Sequence, residues 1–214
     1  RTPIVPGMAR TKPHERARTR ILDDQEIRDL FATLNDTDSK IDMPEPYGRL
    51  VKTLLYTAAR RAEISNAKWS DLANGALVIG AERDKVKLGR EIPLTADALD
   101  ALGNTTKGFI FSTTGGKQAF NGFSKAKTAL DQRLTALREK DARESMAPWV
   151  LHDLRRTARS LMSRAGVEPD IAERVLGHVI GGIRGIYDRH QYRNEKRQAL
   201  EALAALIGRI LNPP

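Results

Sequence analysis

Six residues spread along the chain have side chains that together could carry out phosphoryl transfer: Arg60, Lys85, His152, Arg155, His178 and Tyr187. Guanidinium groups bind phosphate oxygens through paired hydrogen bonds, and ammonium and imidazole groups can transfer protons. A tyrosine phenol with an ordinary pKa of about 10 attacks a phosphate only when cations stabilise the phenolate or a base removes the proton. The set therefore predicts a tyrosine nucleophile that acts within a cluster of cations.

The segment His152-Asp153-Leu154-Arg155 places two of these side chains three positions apart. Residues three apart share one face of a helix, so His152 and Arg155 should point the same way while Leu154 faces the core. The pair falls in a predicted first turn, where free backbone N–H groups and the helix dipole favour an anion. His-x-x-Arg alone is common on solvated helices, so the other motifs must support this interpretation.

Composition indicates an anionic partner. Lys and Arg number 36 against 27 Asp and Glu, which gives a net charge of +9 and an isoelectric point near 10.0. Such a balance favours nucleic acid, and 40% hydrophobic residues suffice for a real core. The first twenty residues carry six cations against one carboxylate and three prolines, which is typical of a basic, non-helical linker.

Several classes of protein and site are disfavoured. The absence of cysteine excludes disulfides and cysteine-ligated zinc, and the four histidines have no metal-ligand spacing. No Asp-rich cluster suggests a two-metal nuclease, so we expect no metal site. There is no apolar run of eighteen residues and no secretory signal, so we expect a cytoplasmic protein without a membrane interaction.

Periodicity predicts a mainly α fold with a small three-stranded antiparallel β-sheet. Asp23 and Glu26 form a capping-box pattern at the start of a helix, and residues 76–94 alternate as a hairpin that contains Lys85. Further helices are predicted over Tyr47–Ala59, after Thr95, over Phe120–Lys140, from His152 to a stop at Gly166, and over Asn194–Leu211.

The motifs occur in a characteristic order. Thr57-Ala58-Ala59-Arg60-Arg61-Ala62-Glu63-Ile64 comes first, the box from His152 to Arg156 follows, and Leu176-Gly177-His178 precedes Tyr187 by nine residues. In these motifs the chain resembles the tyrosine recombinases, also called the phage integrase family, over nearly its whole globular length. The resemblance implies their catalytic-domain fold and a site made of Arg60, Lys85, His152, Arg155, His178 and the nucleophile Tyr187.

Three positions qualify the match. The family usually has glycine where this chain has Ala58, a small change that still permits close packing. Lys85 and Lys87 both precede the hairpin turn, and the spacing to Pro93 favours Lys85. Tyr192 lies five residues after Tyr187, and the spacing from His178 favours Tyr187 as nucleophile.

The implied reaction needs no cofactor, no metal and no ATP. Arg60 and Arg155 would bind the nonbridging oxygens of a scissile DNA phosphate, and Lys85 would protonate the leaving 5′ oxygen. His152 would manage the tyrosine proton, and His178 would hydrogen-bond a phosphate oxygen. A 3′ phosphotyrosyl link forms and a 5′ hydroxyl from another strand reverses it. Glu63 and Asp153 are expected to hold arginines or histidines in place.

The resemblance also implies organisation and partners. We expect residues 1–20 to be an interdomain linker and 21–214 the catalytic domain, with the family's upstream core-binding domain lying outside these 214 residues. The expected partners are double-stranded DNA attachment sites of a phage or mobile element, accessory DNA-bending proteins, and three further copies in a tetramer on DNA; alone, the chain is expected to be a monomer. A type IB topoisomerase-like enzyme and a non-catalytic DNA-binding relative are the alternatives.

The last predicted helix, 194–211, presents one apolar stripe. In recombinases the segment after the tyrosine commonly docks on a neighbouring protomer, and such a stripe would suit that role. The same stripe could equally fold back onto the core of its own chain. The sequence leaves both arrangements open.

Overall fold

The computed structural model describes residues 18–83, 89–104, 107–178 and 190–213. The helices and strands of this part of the chain are α1 Asp24–Asn35, α2 Glu45–Thr57, α3 Arg61–Ser65, β1 Leu72–Ala73, β2 Ala76–Ile79, β3 Arg90–Pro93, α4 Ala96–Leu102, α5 Phe123–Lys140, α6 Leu151–Arg164, α7 Pro169–Leu176 and α8 Arg193–Leu211. The strands form one antiparallel sheet in the order β1-β2-β3. The predicted mainly α fold with a three-stranded antiparallel sheet is confirmed.

Helix α1 begins at the predicted capping box. The Asp23 carboxylate accepts a hydrogen bond from the Glu26 backbone N–H at 2.8 Å, and the Glu26 carboxylate accepts one from Asp23 N–H at 2.9 Å. These two bonds satisfy backbone donors that a helix start otherwise leaves unpaired. Ile27, Leu30 and Phe31 then pack into the core as one stripe.

Helix α2 ends two residues before the predicted boundary. Ala58 has φ 52° and ψ 20°, the left-handed conformation, and so breaks the helix that the periodicity extended to Ala59. This turn sends the chain toward Arg60, the residue that precedes α3. The early end of α2 therefore places Arg60 in a non-helical position between two helices.

Helix α6 is fixed at both ends. The buried Asp153 carboxylate accepts a hydrogen bond from Val150 N–H at 2.9 Å, which pairs a backbone donor before the first turn. At the other end Gly166 has φ 79°, and the N–H groups of Gly166 and Val167 donate to Ser163 and Met162. These two bonds form a Schellman motif, and the predicted stop of the helix at Gly166 is where α6 ends. The helix bearing His152 and Arg155 is thus held in a defined position.

Arg90, the first residue of β3, extends its side chain from the sheet toward the helices. In β2 and β3 Ile79 pairs with Arg90, and Gly89 before Arg90 has φ 69°. The Arg90 guanidinium donates to the Val175 carbonyl at 3.1 Å, near the end of α7. Lys85 and Lys87, the two lysines proposed for this hairpin, lie outside the described residues.

Helix α8 folds back onto its own chain. It packs against α1, α2, α6, α7 and β3, and its stripe Leu200, Leu203, Ile207 and Ile210 is buried. Arg28 of α1 also donates a hydrogen bond to the Ile210 carbonyl at 3.2 Å. Of the two arrangements left open for this helix, the structure shows docking in cis, so α8 completes the core.

Replacing Leu203 with alanine should lower the free energy of unfolding by about 3 kcal/mol, because Leu203 is 0% exposed and its loss leaves a cavity. Urea unfolding followed by circular dichroism measures this change. The exposed Glu201, two residues earlier on α8, provides the control: Glu201→Ala should change the value by no more than about 0.5 kcal/mol. Equal free energies of unfolding for the two variants would show that α8 does not belong to the cooperative core.

Buried side chains from α1 to α8 form one continuous hydrophobic cluster. Tyr47 lies at 0% exposure within it, and its ring contacts those of Phe120 and Phe123. In the described ranges, no helix combines the length and the hydropathy needed to cross a bilayer.

Candidate active site

An open pocket of about 780 Å³ lies beside the first turns of α6. Its walls are formed by ten residues, Arg60, His152, Arg155, Arg156, Arg159, Ser160, Glu173, Leu176, Gly177 and His178. Four of the six predicted site residues therefore line one cavity: Arg60, His152, Arg155 and His178. The other two, Lys85 and Tyr187, lie outside the described residues.

Arg155 is the most deeply placed cation of the pocket, with 6% of its surface exposed. Its Nη1 donates to the Ala58 carbonyl and its Nη2 to the Leu176 carbonyl, each at 2.5 Å. Burial, and then the nearby cations Arg90 and Arg60, lower the pKa of Arg155 to about 10, so the side chain is still a cation at neutral pH. Two backbone carbonyls thus fix the plane of a guanidinium at the wall of the pocket.

Arg60 is held by an acid from the helix that follows it. The Glu63 carboxylate accepts hydrogen bonds from Arg60 N–H at 2.7 Å and from Arg60 Nη1 at 2.8 Å. Arg60 Nη2 lies 3.4 Å from the Gly177 carbonyl, and Arg90 also donates to Glu63. Because Glu63 is buried and charge-paired, it orients two arginines at once.

Ala58 shows why this motif favours a very small residue. Its positive φ costs a residue with a side chain about 1 to 2 kcal/mol, whereas glycine adopts it freely. The methyl group is fully buried, and the Ala58 carbonyl accepts the hydrogen bond from Arg155. Alanine is therefore accommodated at this position, but with backbone strain next to the pocket.

Gly177 of the Leu-Gly-His motif has two reasons to be glycine. It caps α7 with φ 66°, a left-handed conformation. A Cβ atom at this position would also lie 2.2 Å from Nη1 of Arg90. The motif glycine thus lets the Arg90 side chain pass between β3 and α7.

His178 stands at the mouth of the pocket, with 49% of its side chain exposed. Its Nδ1 lies 2.5 Å from Oε2 of Glu173, and its Nε2 lies 3.3 Å from Nη2 of Arg155. Burial acts to raise the pKa of Glu173, but hydrogen bonds from Arg159 and His178 outweigh it and lower that pKa. Glu173 is therefore an ionised acceptor at neutral pH.

His152 lies in the first turn of α6 and is exposed. Partial desolvation of its ring, followed by the charges of Arg156 and Arg155, lowers the pKa of His152 below its usual value. The imidazole is consequently neutral at neutral pH. A neutral imidazole can accept a proton, which is the chemistry expected at this position.

Three pocket or pocket-supporting residues were missed by the sequence analysis: Arg90, Arg159 and Glu173. Arg159 follows Arg155 by four residues, so helical spacing could have placed it on the same face. Glu173 precedes His178 by five residues across the end of α7, a weaker signal. For Arg90 no signal in the sequence was available, because its partners come from α3 and α7.

Tyr192, the alternative nucleophile, lies elsewhere. It precedes α8, and the Arg174 guanidinium stacks 3.8 Å from the centre of its ring. The His190 ring packs on Tyr192 at 4.6 Å, and Tyr192 is not among the residues that line the pocket. Tyr192 thus lies away from the pocket, and Tyr187 as nucleophile stays a prediction because that residue lies outside the described part of the chain.

Comparison with known proteins places the chain among integrases. The profile described as the phage integrase family matches residues 20–194. Prophage integrase IntZ of Escherichia coli (strain K12) is 28% identical in an alignment 167 residues long, and the match covers 75% of this chain and 39% of that protein. The chain thus spans about two fifths of the length of this curated relative.

Solved structures share the fold. The lambda integrase catalytic core superposes with a TM-score of 0.54 at 18% identity, over 78% of this chain and 95% of that one. A lambda integrase tetramer bound to a Holliday junction gives a TM-score of 0.52 at 18% identity, over 82% of this chain and 48% of that one. The match to the family profile over most of the sequence, together with this shared fold, means that the chain belongs to the phage integrase family.

Proposed function

We propose that this chain is the catalytic domain of a tyrosine-type, site-specific DNA recombinase that integrates or excises a phage or another mobile element. The observation that carries the proposal is the convergence of Arg60, His152, Arg155 and His178 on one pocket beside the start of α6. A helix start and several fixed cations favour a phosphate group. Family membership supports the assignment of that phosphate to DNA.

In the proposed mechanism, Arg60 and Arg155 bind the two nonbridging oxygens of the scissile phosphate and stabilise charge in the transition state. Their restraint by Glu63 and by backbone carbonyls supports this role, since donors fixed beforehand need little reorganisation. The neutral His152 accepts the phenol proton as Tyr187 attacks.

The remaining steps follow from charge and proton balance. Attack by Tyr187 forms a 3′ phosphotyrosyl bond and breaks the bond to the 5′ oxygen, which takes a proton from Lys85. A 5′ hydroxyl of another strand then attacks the phosphotyrosine and gives its proton to Lys85, while His152 returns its proton to the departing tyrosine oxygen. Both steps exchange one phosphodiester for another, so the bond energy is retained and no nucleotide cofactor is needed.

The proposed partner is a double-stranded DNA attachment site, and the proposed assembly on DNA is a homotetramer. The lambda integrase tetramer on a Holliday junction supports this assembly by likeness of fold. Accessory DNA-bending proteins are proposed as further partners.

Residues 1–20 are proposed as the interdomain linker and 21–214 as the catalytic domain. Two linker cations contact the domain itself, Arg18 at the Asp153 carboxylate and Arg20 at that of Glu26.

The test of this function is covalent capture of DNA. The protein is incubated with duplexes that carry a randomised central segment and a nick, and adducts that survive detergent are recovered and sequenced. We expect one enriched sequence whose 3′ end is blocked by a tyrosyl peptide while its 5′ end stays free. A 5′ linkage, or no adduct in any sequence context, would overturn the proposal. Relaxation of supercoils without transfer to a second duplex would indicate a topoisomerase instead.

A further inference from the structure

Glu173 connects His178 to a second cation on α6. Its Oε2 atom lies 2.5 Å from Nδ1 of His178, and its Oε1 atom accepts a hydrogen bond from Nε of Arg159 at 2.8 Å. Arg159 is itself held by the hydroxyl of Ser163 at 2.6 Å. One carboxylate oxygen of Glu173 is therefore held by Arg159, and the other faces the imidazole of His178.

These contacts determine which nitrogen of the neutral imidazole carries the proton. A guanidinium is only a donor, so the Nε2 atom that faces Nη2 of Arg155 at 3.3 Å must present its lone pair. An ionised carboxylate is only an acceptor, so the Nδ1 atom that faces Glu173 must carry hydrogen. In the unliganded site, neutral His178 is thus the Nδ1–H tautomer.

A nonbridging phosphodiester oxygen in the pocket reverses the requirement at Nε2, because an ionised phosphodiester accepts hydrogen bonds and has no proton to donate. We infer that Glu173 is a positioning residue that allows His178 to take up a proton when phosphate binds. The proton comes from water and is added at Nε2, while the Nδ1–H group keeps its hydrogen bond to the Glu173 carboxylate. The imidazolium then donates one hydrogen bond to Glu173 and one to the phosphate. The identification of this phosphate with a scissile DNA phosphate rests on the proposed function.

The cations around the His178 ring make the negative charge of Glu173 necessary for the protonation of His178. Four cations face His178 or lie just behind it: Arg155 and Arg159 on α6, Arg60 before α3, and Arg90 on β3. Glu63 already compensates Arg60 and Arg90. Within the described ranges Glu173 is the acid in contact with the imidazole, so its charge offsets the cost of adding a further cation.

The test uses the full chain labelled with ¹⁵N at histidine, with dimethyl phosphate, a phosphodiester, as the probe. The chain has four histidines, so the His178 signals are assigned by their loss in His178→Asn. In the wild type we expect the Nδ1–H tautomer without phosphate and protonation of Nε2 when phosphate is added. In Glu173→Gln the amide oxygen keeps the hydrogen bond but not the charge, so the same protonation should require a pH about one unit lower.

A second variant and a control separate position from charge. Glu173→Ala should also lose the preference for the Nδ1–H tautomer, because no acceptor remains at that nitrogen. Glu168→Gln, an exposed carboxylate just before α7, should behave as the wild type. The inference is overturned if phosphate leaves His178 unprotonated in the wild type, or if Glu173→Gln titrates like the wild type.

The same variants report on the reaction. Adduct formation by Glu173→Gln should be about tenfold slower than that of the wild type above neutral pH and should recover as the pH falls. A purely structural defect would not recover in this way. Absence of wild-type adducts would refute the proposed function alone, since the imidazole signals are read with dimethyl phosphate and without DNA.

Discussion

Tyr187→Phe should abolish covalent protein–DNA adducts while leaving DNA affinity within about twofold of the wild type. The substitution removes one oxygen, the atom that would form the phosphotyrosyl bond, and it removes no cation that could bind the DNA backbone. Detergent-resistant adducts and equilibrium binding on the same captured duplex measure the two quantities. Loss of the adducts without loss of DNA affinity would identify Tyr187 as the nucleophile.

Tyr192→Phe is the matched control for this experiment. It also removes a single phenolic oxygen, but the ring that stacks on Arg174 and His190 is kept. We expect its adducts to form at a rate within about twofold of the wild type, because Tyr192 does not line the pocket and its ring contacts are unchanged. Adducts that persist in Tyr187→Phe and vanish in Tyr192→Phe would reverse the assignment.

Arg155→Lys should slow adduct formation on the order of 10³-fold. A single ammonium cannot donate to the Ala58 and Leu176 carbonyls and also offer a planar pair of donors to a phosphate. One buried carbonyl then lacks its partner, so the free energy of unfolding should also fall by about 1 to 3 kcal/mol. Rates of adduct formation and urea unfolding of the same preparation measure both effects.

The same substitution at Arg164 provides the control on α6. Arg164 pairs with Asp24 at the surface, and 52% of its side chain is exposed. Arg164→Lys should therefore change the rate less than twofold and the free energy of unfolding by less than about 0.5 kcal/mol. If Arg155→Lys matched this control in rate, the buried guanidinium would have no part in the reaction.

Local signals were sufficient for the secondary structure around the site. The Asp23 and Glu26 capping box, the Thr95 cap of α4 and the Gly166 ending of α6 each depend on residues at most five positions apart. Such contacts form within one turn of a helix, so residue type and spacing are enough to predict them. The end of α2 was predicted less well, because alanine at position 58 gives no sign of its left-handed conformation.

Part of the candidate site could likewise be predicted from the sequence. His152 and Arg155 share one helix face by spacing alone, and the order of the motifs that contain Arg60 and His178 indicated that they should meet. The supporting contacts could not be predicted. Arg90 reaches Val175 across 85 residues, and its position depends on how the sheet packs against α7.

Residue types, their spacing and the order of the motifs were enough to identify the family, the side chains available for chemistry, and where most helices begin and end. The tertiary structure was needed to show that α8 packs on its own core and that two carbonyls fix Arg155. It also decided that Glu173 dictates the tautomer of His178. The physical reason is that an amphipathic stripe specifies burial but not its partner, and a lone arginine or glutamate specifies charge but not its direction. Packing of the helices supplies both, as when Ala58 meets Arg155 across 97 residues.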